Sequence, residues 1–210
     1  MKTALLYGGG GHAKGVLECL WSAGVSVPGF FDDNPAVTDL CGIRSLGTFD
    51  SALAFGVPLF VAIGDNAARS RVVHRLEHAS TVISHSSALL STEARVDEGT
   101  VVLHRAVVQP GARVGRHVIL NTAAVVEHDC VLADFVHVGP GAILCGRVRV
   151  DEGTLVGAGA TVLPGVSIGR WCTVGAGAVV TKSLPDFSVA VGIPARVIRK
   201  NGATGIFQPL

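Results

Sequence analysis

The chain of 210 residues is 49% hydrophobic and only 16% charged, which is enough apolar material for a substantial core in one or two domains. Its formal net charge of +1 gives no reason to expect nucleic acid or a membrane surface as a partner, and no apolar run approaches the roughly 20 residues that span a bilayer. The first residues lack the hydrophobic region of a signal peptide and the five cysteines show no CxxC spacing, so we expect a cytoplasmic protein with reduced thiols.

Residues 1–85 alternate between apolar strand patterns and helical patterns, which predicts a small α/β domain with a parallel sheet. The predicted strands occupy residues 3–7, 27–31, 58–63 and 81–84, and the predicted helices occupy residues 12–23 and 66–78. In such a sheet the ligand site lies beyond the carboxyl ends of the strands.

Three strand ends converge on this predicted site. The glycine run at residues 8–11 leads into the first helix, where bare amide groups and the positive helix end favour a phosphate or pyrophosphate. Asp32 and Asp33 follow the second strand, in the place of the acidic residue that contacts a ribose or base in dinucleotide-binding sheets. Residues 63–65 follow the third strand. A tight turn without a ligand is the alternative, and the domain is too short for a complete two-lobed NAD site.

Residues 94–183 form fifteen consecutive blocks of six residues. The third residue of every block, from Val96 to Val180, is aliphatic, and the first residue is small or β-branched. A period of six is typical of a parallel β-helix in which three blocks complete one coil, so we expect about five coils within a domain at residues 86–183. Five glycines directly follow the inward aliphatic residue, and we expect them to turn the corners at positive φ: Gly115, Gly139, Gly157, Gly169 and Gly175.

Polar residues interrupt the repeat mainly at residues 121–129 and at His137. His128 takes an outward position between Glu127 and Asp129, either of which could hold the imidazole in one tautomer and raise its basicity. This pattern predicts a general base that removes a proton from an attacking amine or hydroxyl. A merely solvated histidine is the alternative.

A zinc centre is a further alternative, because hexapeptide-repeat proteins include a zinc-dependent carbonic anhydrase class with histidine ligands from adjacent subunits. His128 and His137 are nine residues apart, about half a coil, and so face different sides of their own chain. They could approach one another across a subunit boundary. The nucleotide-like N-terminal domain would then have no role, so we expect no metal.

Several motifs occur together in this chain: Gly10-Gly11-His12, Phe31-Asp32-Asp33, residues 62–66, Asn121-Thr122, Glu127-His128-Asp129, His137 and residues 191–195. Over residues 3–200 this combination resembles the bacterial sugar O-acyltransferase family of sialic acid O-acetyltransferases and nucleotide-4-amino-sugar N-acetyltransferases. The resemblance implies an α/β N-terminal Rossmann-like domain followed by an all-β left-handed parallel β-helix, an exception to the right-handed crossover rule. It also implies a homotrimer with acetyl-CoA between neighbouring helices.

The resemblance further implies roles for single residues. His128 matches the general base, Asp129 the carboxylate that raises its basicity, and Glu127 an acidic position that assists. Contacts to acetyl-CoA are implied for Asn121, His137, Ala158 and Ala176, with His137 a candidate donor to the thioester carbonyl. Contacts to the nucleotide sugar are implied for Gly10, Gly11, His12, Asp32, Asp33, Ile63 and Gly64. Arg69 is a further candidate for phosphate binding.

From these residues and this resemblance we expect an acetyl-CoA-dependent N-acetyltransferase that acts on the 4-amino group of a nucleotide-linked 4-amino-4,6-dideoxy sugar by direct transfer. O-acetylation of sialic acid or a related sugar is the alternative within the family. A zinc-dependent hydratase and a non-catalytic nucleotide-sugar-binding subunit are the alternatives from other classes. In the C-terminal region, residues 184–210, we expect an extended segment against the last coil, followed by a loose tail from residue 201.

Overall fold

The computed structural model of the protein describes residues 2–76, 78 and 80–202. The N-terminal region contains short strands and two helices: β1 (Lys2–Thr3), β2 (Leu5–Tyr7), α1 (Gly11–Ser22), β3 (Val25–Ser26), β4 (Phe30–Phe31), β5 (Asp39–Leu40), β6 (Ile43–Arg44), β7 (Leu59–Val61) and α2 (Asn66–Leu76). The central sheet is parallel with strand order β4-β2-β7, while β1 pairs with β3 and β5 with β6. The predicted α/β domain is therefore present, with strands shorter than the apolar runs suggested.

The β-helix follows, and each of its strands has two residues: β8 (Ile83–Ser84), β9 (Leu89–Leu90), β10 (Arg95–Val96), β11 (Val101–Val102), β12 (Val107–Val108), β13 (Arg113–Val114), β14 (Ile119–Leu120), β15 (Val125–Val126), β16 (Val131–Leu132), β17 (His137–Val138), β18 (Ile143–Leu144), β19 (Arg149–Val150), β20 (Leu155–Val156), β21 (Thr161–Val162), β22 (Ser167–Ile168), β23 (Thr173–Val174) and β24 (Val179–Val180). Each strand from β8 to β21 pairs in parallel with the strand three blocks later, as Val101 does with Ile119. From β11 to β24 the second residue of each strand fills the axial core, which is built from the aliphatic column of the repeat. The predicted fold class, a Rossmann-like domain and a left-handed β-helix, is confirmed.

The β-helix begins earlier than the regular column of aliphatic residues. The strand expected at residues 81–84 exists as β8, but it pairs with β11 of the β-helix and not with the N-terminal sheet. Ser84 is in register with the inward Val102, so a polar residue occupies an inward position of the first coil. The pattern of inward aliphatic residues therefore does not reveal this coil in the sequence. The solenoid consequently has about six turns where we expected about five.

The five glycines that follow the inward aliphatic residues do not turn corners at positive φ, so that expectation was wrong. Positive φ is found at other corner positions, among them Gly111, Gly141 and Asp129. The physical reason for the five glycines is the spacing of the coils. A Cβ atom on Gly139 would lie 2.8 Å from the carbonyl oxygen of Val156, so any side chain there would collide with the next coil.

The three faces of the β-helix differ in what covers them. The eight-stranded face lies beneath the N-terminal domain, and its outward residues Val101 and Ile119 are only 3% and 1% exposed. The five-stranded face carries mostly polar outward residues, such as Arg113 and Arg149. The six-stranded face carries an uncovered ladder of outward residues: Leu89, Val107, Val125, Ile143, Thr161 and Val179.

The C-terminal segment forms β25 (Ser188–Val191) and β26 (Arg196–Lys200). This segment extends the last coil: β25 pairs in parallel with β23, and β26 pairs antiparallel with β25. Of the predicted loose tail, residues 203–210 lie outside the described residues. Asn201 is held in place, because its side-chain amide donates to the Trp171 carbonyl and to the Thr173 hydroxyl.

Candidate active site

A cavity of about 610 Å³ lies at the seam between the N-terminal domain and the eight-stranded face. The N-terminal domain contributes Gly11, His12 and Gly64 to its wall, and the β-helix contributes Asn121 and His137. The structure thus brings together residues that were predicted separately for the nucleotide sugar and for acetyl-CoA.

The four consecutive glycines at residues 8–11 have two different explanations. Gly8 has a φ of +103°, and a Cβ atom on Gly9 would lie 2.5 Å from Phe30, so the fold itself requires these two. Gly10 has an extended conformation with a φ of −79°, and neither Gly10 nor Gly11 would bring a Cβ atom within 4 Å of another residue. The fold therefore does not explain Gly10 and Gly11, which leave bare backbone at the start of α1.

Asp32 and Asp33 support the loops around this glycine turn. Asp32 accepts a hydrogen bond of 2.7 Å from the Gly9 amide and one of 2.8 Å from the Asn34 amide. Asp33 forms an ion pair of 3.0 Å with Arg75. A hydrogen bond from Tyr7, followed by the Arg75 contacts, lowers the pKa of Asp33. Neither carboxylate lines the cavity beside His137.

His137 and Asn121 form a fixed pair on the β-helix side of the cavity. The Asn121 side-chain oxygen accepts a hydrogen bond of 2.8 Å from the Thr122 amide, which turns its Nδ2 toward Nε2 of His137 at 3.0 Å. Nε2 is therefore an acceptor, and Nδ1 carries the hydrogen of the neutral ring. Burial, and then the charge of Arg69, lower the pKa of His137 to about 3, while a backbone hydrogen bond to Gly64 acts in the opposite direction.

His12 faces this pair from the first turn of α1. Its ring centroid lies 6.2 Å from that of His137, and its Nε2 is buried without a hydrogen-bond partner among the described residues. Burial and then the charge of Arg69 lower the pKa of His12 to about 4. The imidazoles of His12 and His137 are therefore neutral at physiological pH.

His128 and Asp129 stand on a corner of the β-helix, after β15. The Nδ1 atom of His128 lies 2.9 Å from Oδ2 of Asp129, and both side chains are about half exposed. With its Nδ1 hydrogen donated to this carboxylate, His128 presents the lone pair of Nε2. Asp129 has a φ of +59°, a conformation that aspartate tolerates better than most residues. No hydrogen bond between His128 and the Glu127 carboxylate is formed in the described part of the chain.

The two halves of the predicted site occupy different edges of one chain. The Asn121 corner lies between the eight-stranded and six-stranded faces, whereas the His128 corner lies between the six-stranded and five-stranded faces. His128 does not line the cavity. Ala158 and Ala176 lie on the same edge as Thr122, in a stack of corners connected by backbone hydrogen bonds between successive coils.

Arg69 is not available as a phosphate ligand. Its side chain is buried, with a relative exposure of 2%, and its guanidinium donates to oxygen atoms of the chain itself. The sequence did not indicate that Arg69 is buried and hydrogen-bonded within the protein, because an arginine in a polar helix resembles any surface residue. Nor did it single out Gly146, which lies one coil beyond His128 and against its ring.

No cluster of three or more His, Cys, Asp or Glu side chains that could hold a metal occurs within residues 2–76, 78 and 80–202. Neither helix in the described part of the chain has the length and hydrophobicity of a membrane-spanning segment. All five cysteines are free.

Two family models match this chain. The model of the PglD N-terminal domain matches residues 3–76, and the model of the bacterial transferase hexapeptide with six repeats matches residues 147–182. A histidine-to-asparagine variant of perosamine N-acetyltransferase from Caulobacter crescentus, solved with CoA and GDP-perosamine, is 37% identical, covers 95% of this chain and 98% of its own, and has a TM-score of 0.89. The chain belongs to the bacterial sugar acyltransferase family.

Other members of the sugar acyltransferase family have the same architecture. The acetyltransferase domain of PglB from Neisseria gonorrhoeae, solved with acetyl coenzyme A, is 32% identical, covers 94% of this chain and 99% of its own, and has a TM-score of 0.86. WeeI from Acinetobacter baumannii is 27% identical, with coverages of 94% and 100% and a TM-score of 0.81. The predicted family is therefore confirmed.

Proposed function

We propose that this sugar acyltransferase transfers the acetyl group of acetyl-CoA to the 4-amino group of a nucleotide-linked 4-amino-4,6-dideoxy sugar. The observation that carries the proposal is that the glycine-rich start of α1 faces Asn121 and His137 across one shared cavity. Relatives solved with CoA and GDP-perosamine, or with acetyl coenzyme A, support the same pair of substrates.

The nucleotide sugar binds to the N-terminal domain. Gly10, Gly11 and His12 offer free amide groups at the positive end of a 12-residue helix that has no acidic residue in its first turn. A diphosphate fits there because backbone without side chains allows its oxygens to approach closely. In this proposal Asp32 and Asp33, which follow β4, contact the nucleoside, and Ile63 and Gly64, which follow β7, contact the sugar.

Acetyl-CoA binds along the stacked corners of the β-helix. Ala158 and Ala176 are exposed residues of this edge, and they present backbone to the pantetheine and nucleotide of the coenzyme. The thioester then lies near Asn121, whose side chain lines the cavity. Donation from His137 to the thioester carbonyl stays a prediction. At present Nε2 accepts a hydrogen bond from Asn121, so donation requires either that Nε2 is protonated or that the ring rotates.

The reaction is a direct transfer with His128 as general base. The lone pair of the neutral sugar amine attacks the thioester carbon, and Nε2 of His128 takes the ammonium proton while Asp129 accepts the hydrogen bond from Nδ1. The C–N bond forms, the C–S bond breaks, and the proton passes to the departing thiolate. Cys130 cannot serve as an acyl carrier, because burial raises the pKa of its thiol to about 11.

A homotrimer would complete the site. The uncovered ladder on the six-stranded face is mostly aliphatic, and Leu89 and Ile143 are 67% and 39% exposed. Burying such a face against further copies of the chain is favourable by about 25 cal/mol per Å² of apolar surface. The Asn121 corner and the His128 corner border opposite sides of this face. When three copies of the chain pack against one another through this face, His128 of the partner subunit comes to the cavity edge at Asn121.

The test is a coenzyme A release assay with a panel of acceptors: UDP-, GDP- and dTDP-linked 4-amino sugars and free sialic acid. Turnover with a nucleotide 4-amino sugar supports the proposal. Turnover confined to sialic acid indicates an O-acetyltransferase, and metal-dependent hydration without coenzyme A release indicates a hydratase, so either outcome contradicts it.

The free cysteines fit a reducing environment, which supports the cytoplasm as the location of the reaction.

A further inference from the structure

Arg69 is a buried cation whose N–H groups are all used inside the protein. Nη1 donates to the Ile63 carbonyl at 3.0 Å and to the Gly64 carbonyl at 3.3 Å, and Nη2 donates to Oδ1 of Asn66 at 2.8 Å. Burial lowers the pKa of Arg69 to about 9, which still leaves the guanidinium charged at neutral pH. Arg69 forms no ion pair with a carboxylate among the described residues, so carbonyl and amide oxygens accept all of its hydrogen bonds, while the nearby charge of Asp65 acts to raise its pKa.

The remaining bonds of Arg69 and Asn66 cross to the β-helix in a regular pattern. Nε of Arg69 donates to the His117 carbonyl, Nη2 of Arg69 to the Phe135 carbonyl, and Nδ2 of Asn66 to the Gly153 carbonyl, each at 2.9 Å. These three acceptors occupy the same corner of three successive coils, and all have positive φ. Two side chains at the start of α2 therefore contact three consecutive corners of the β-helix.

We propose that Arg69, together with Asn66, is a positioning element that fixes the axial register of the N-terminal domain on the β-helix. Neighbouring strands lie about 4.8 Å apart, so a slip by one coil would move the whole domain by that distance. The correct register holds His12 and Gly64 opposite His137. Two fused domains could otherwise slide, because the apolar contacts of α1 with Val101 and Leu103 are non-directional.

The same contacts determine the state of the His137 ring. Arg69 donates to the Gly64 carbonyl, the Gly64 backbone acts on His137 by raising its pKa, and Asn121 occupies Nε2 of the ring. The charged groups that face His137 are Arg69 from α2 and the titratable His12 from α1, and both favour the neutral ring. Asp65, at the start of α2, and His104 also line the cavity.

The test compares Arg69→Lys with Arg71→Lys, an exposed arginine two residues later on the same helix. Lysine retains the charge but cannot reproduce the fork of five donors. This inference rests on the proposed function for its kinetic part only. For Arg69→Lys we expect kcat/KM for the nucleotide sugar to fall by roughly 10²-fold, the loss typical when reacting groups are displaced by about 1 Å. The KM for acetyl-CoA should stay within twofold of the wild type.

A second measurement needs no substrate. Nitrogen-15 NMR of the imidazole rings in the free protein should show a single His137 tautomer, with hydrogen on Nδ1, in the wild type and in Arg71→Lys, and a mixture of tautomers in Arg69→Lys. Asn66→Ala should change the kinetics in the same direction by a smaller factor. A wild-type tautomer and wild-type kinetics in Arg69→Lys would overturn the inference. A lowered unfolding temperature with both readouts unchanged would also overturn it, because it would make the role of Arg69 merely structural.

Discussion

The imidazole of His128 lies against the backbone of Gly146, one coil further along the β-helix, and a Cβ atom on Gly146 would lie 2.5 Å from Nε2 of His128. The ring is held on one side by this glycine and at Nδ1 by Asp129. The position of the candidate base is therefore determined by a residue without a side chain as well as by its carboxylate partner.

Gly146→Ala should displace the His128 ring while leaving the fold intact, because the half-exposed histidine can swing outward and Gly146 does not have positive φ. We expect kcat to fall by about 10- to 100-fold with little change in unfolding temperature. In a His128→Ala background the same substitution should have no further effect on kcat, which a double-mutant cycle measures. Additive losses would show that Gly146 acts on something other than His128.

The two acidic neighbours of His128 should differ in their effect on catalysis. His128→Ala is expected to lower kcat by roughly 10²- to 10⁴-fold, with little change in nucleotide-sugar affinity. Asp129→Asn removes the carboxylate that accepts the 2.9 Å hydrogen bond from Nδ1, and should cause a larger loss of kcat than Glu127→Gln. Steady-state kinetics of the three variants decide this order, and a greater loss in Glu127→Gln would reverse the assignment.

Substitution by alanine should lower the stability of the protein at Gly9 and weaken substrate binding at Gly10. At Gly10 a methyl group meets open space, so Gly10→Ala should leave the unfolding temperature unchanged and raise the KM for the nucleotide sugar by blocking the phosphate. At Gly9 the methyl group would overlap Phe30 and Val37, so Gly9→Ala should lower the free energy of unfolding by about 1–3 kcal/mol. Calorimetry and kinetics on both variants check the pair. An unaltered KM in Gly10→Ala would argue against a diphosphate at this turn.

The buried histidines should make the protein less stable in mild acid. The pKa of His137 is about 3 in the folded protein against 6.5 in an exposed state, so between these values only the unfolded chain takes up a proton. The free energy of unfolding should therefore decrease as pH falls below 6.5, by up to about 1.4 kcal/mol per pH unit for each such histidine. Thermal unfolding between pH 7 and pH 4.5 measures this slope, which should be shallower in His137→Gln. Equal slopes in both proteins would contradict the neutral buried state.

A charge on the six-stranded face should disrupt the proposed trimer. Ile143→Asp places a carboxylate in the middle of the aliphatic ladder, and we expect light scattering to shift from three times the 21.5 kDa chain mass toward smaller species. Acetyl transfer should be lost with the trimer. Ser167→Asp, at the equivalent position of the five-stranded face, is the matched control and should change neither property. An intact trimer in Ile143→Asp would mean that a different face forms the interface.

Much of this architecture could be predicted from the sequence because the β-helix repeats its packing every coil. The column from Val96 to Val180 is fully apolar inside, so the period is visible in single residues. Glu127 and Asp129 were both predicted as possible partners of His128 because both adjoin it in the chain, and the family resemblance implied Asp129; in the structure the hydrogen bond is formed with Asp129.

Contacts between residues distant in sequence could not be predicted in the same way. Arg69 reaches carbonyl groups 48 and 66 residues away, and backbone carbonyls leave no trace in the choice of amino acid. The five glycines after the inward aliphatic residues show a related limit. Their positions were apparent, but whether φ or the approach of the next coil required them depended on geometry that the sequence does not contain.

The pairing of each strand with the one three blocks later imposes a rule on the length of the chain. A deletion of six residues between His128 and Gly146 would rotate every later block onto the next face, which would take Gly146 from beneath His128 and remove Ala158 and Ala176 from the edge of Thr122. A deletion of eighteen residues would preserve every face and only shorten the solenoid. Insertions and deletions in this region can therefore be accommodated in whole coils, and a change of one block alters which surface carries the chemistry.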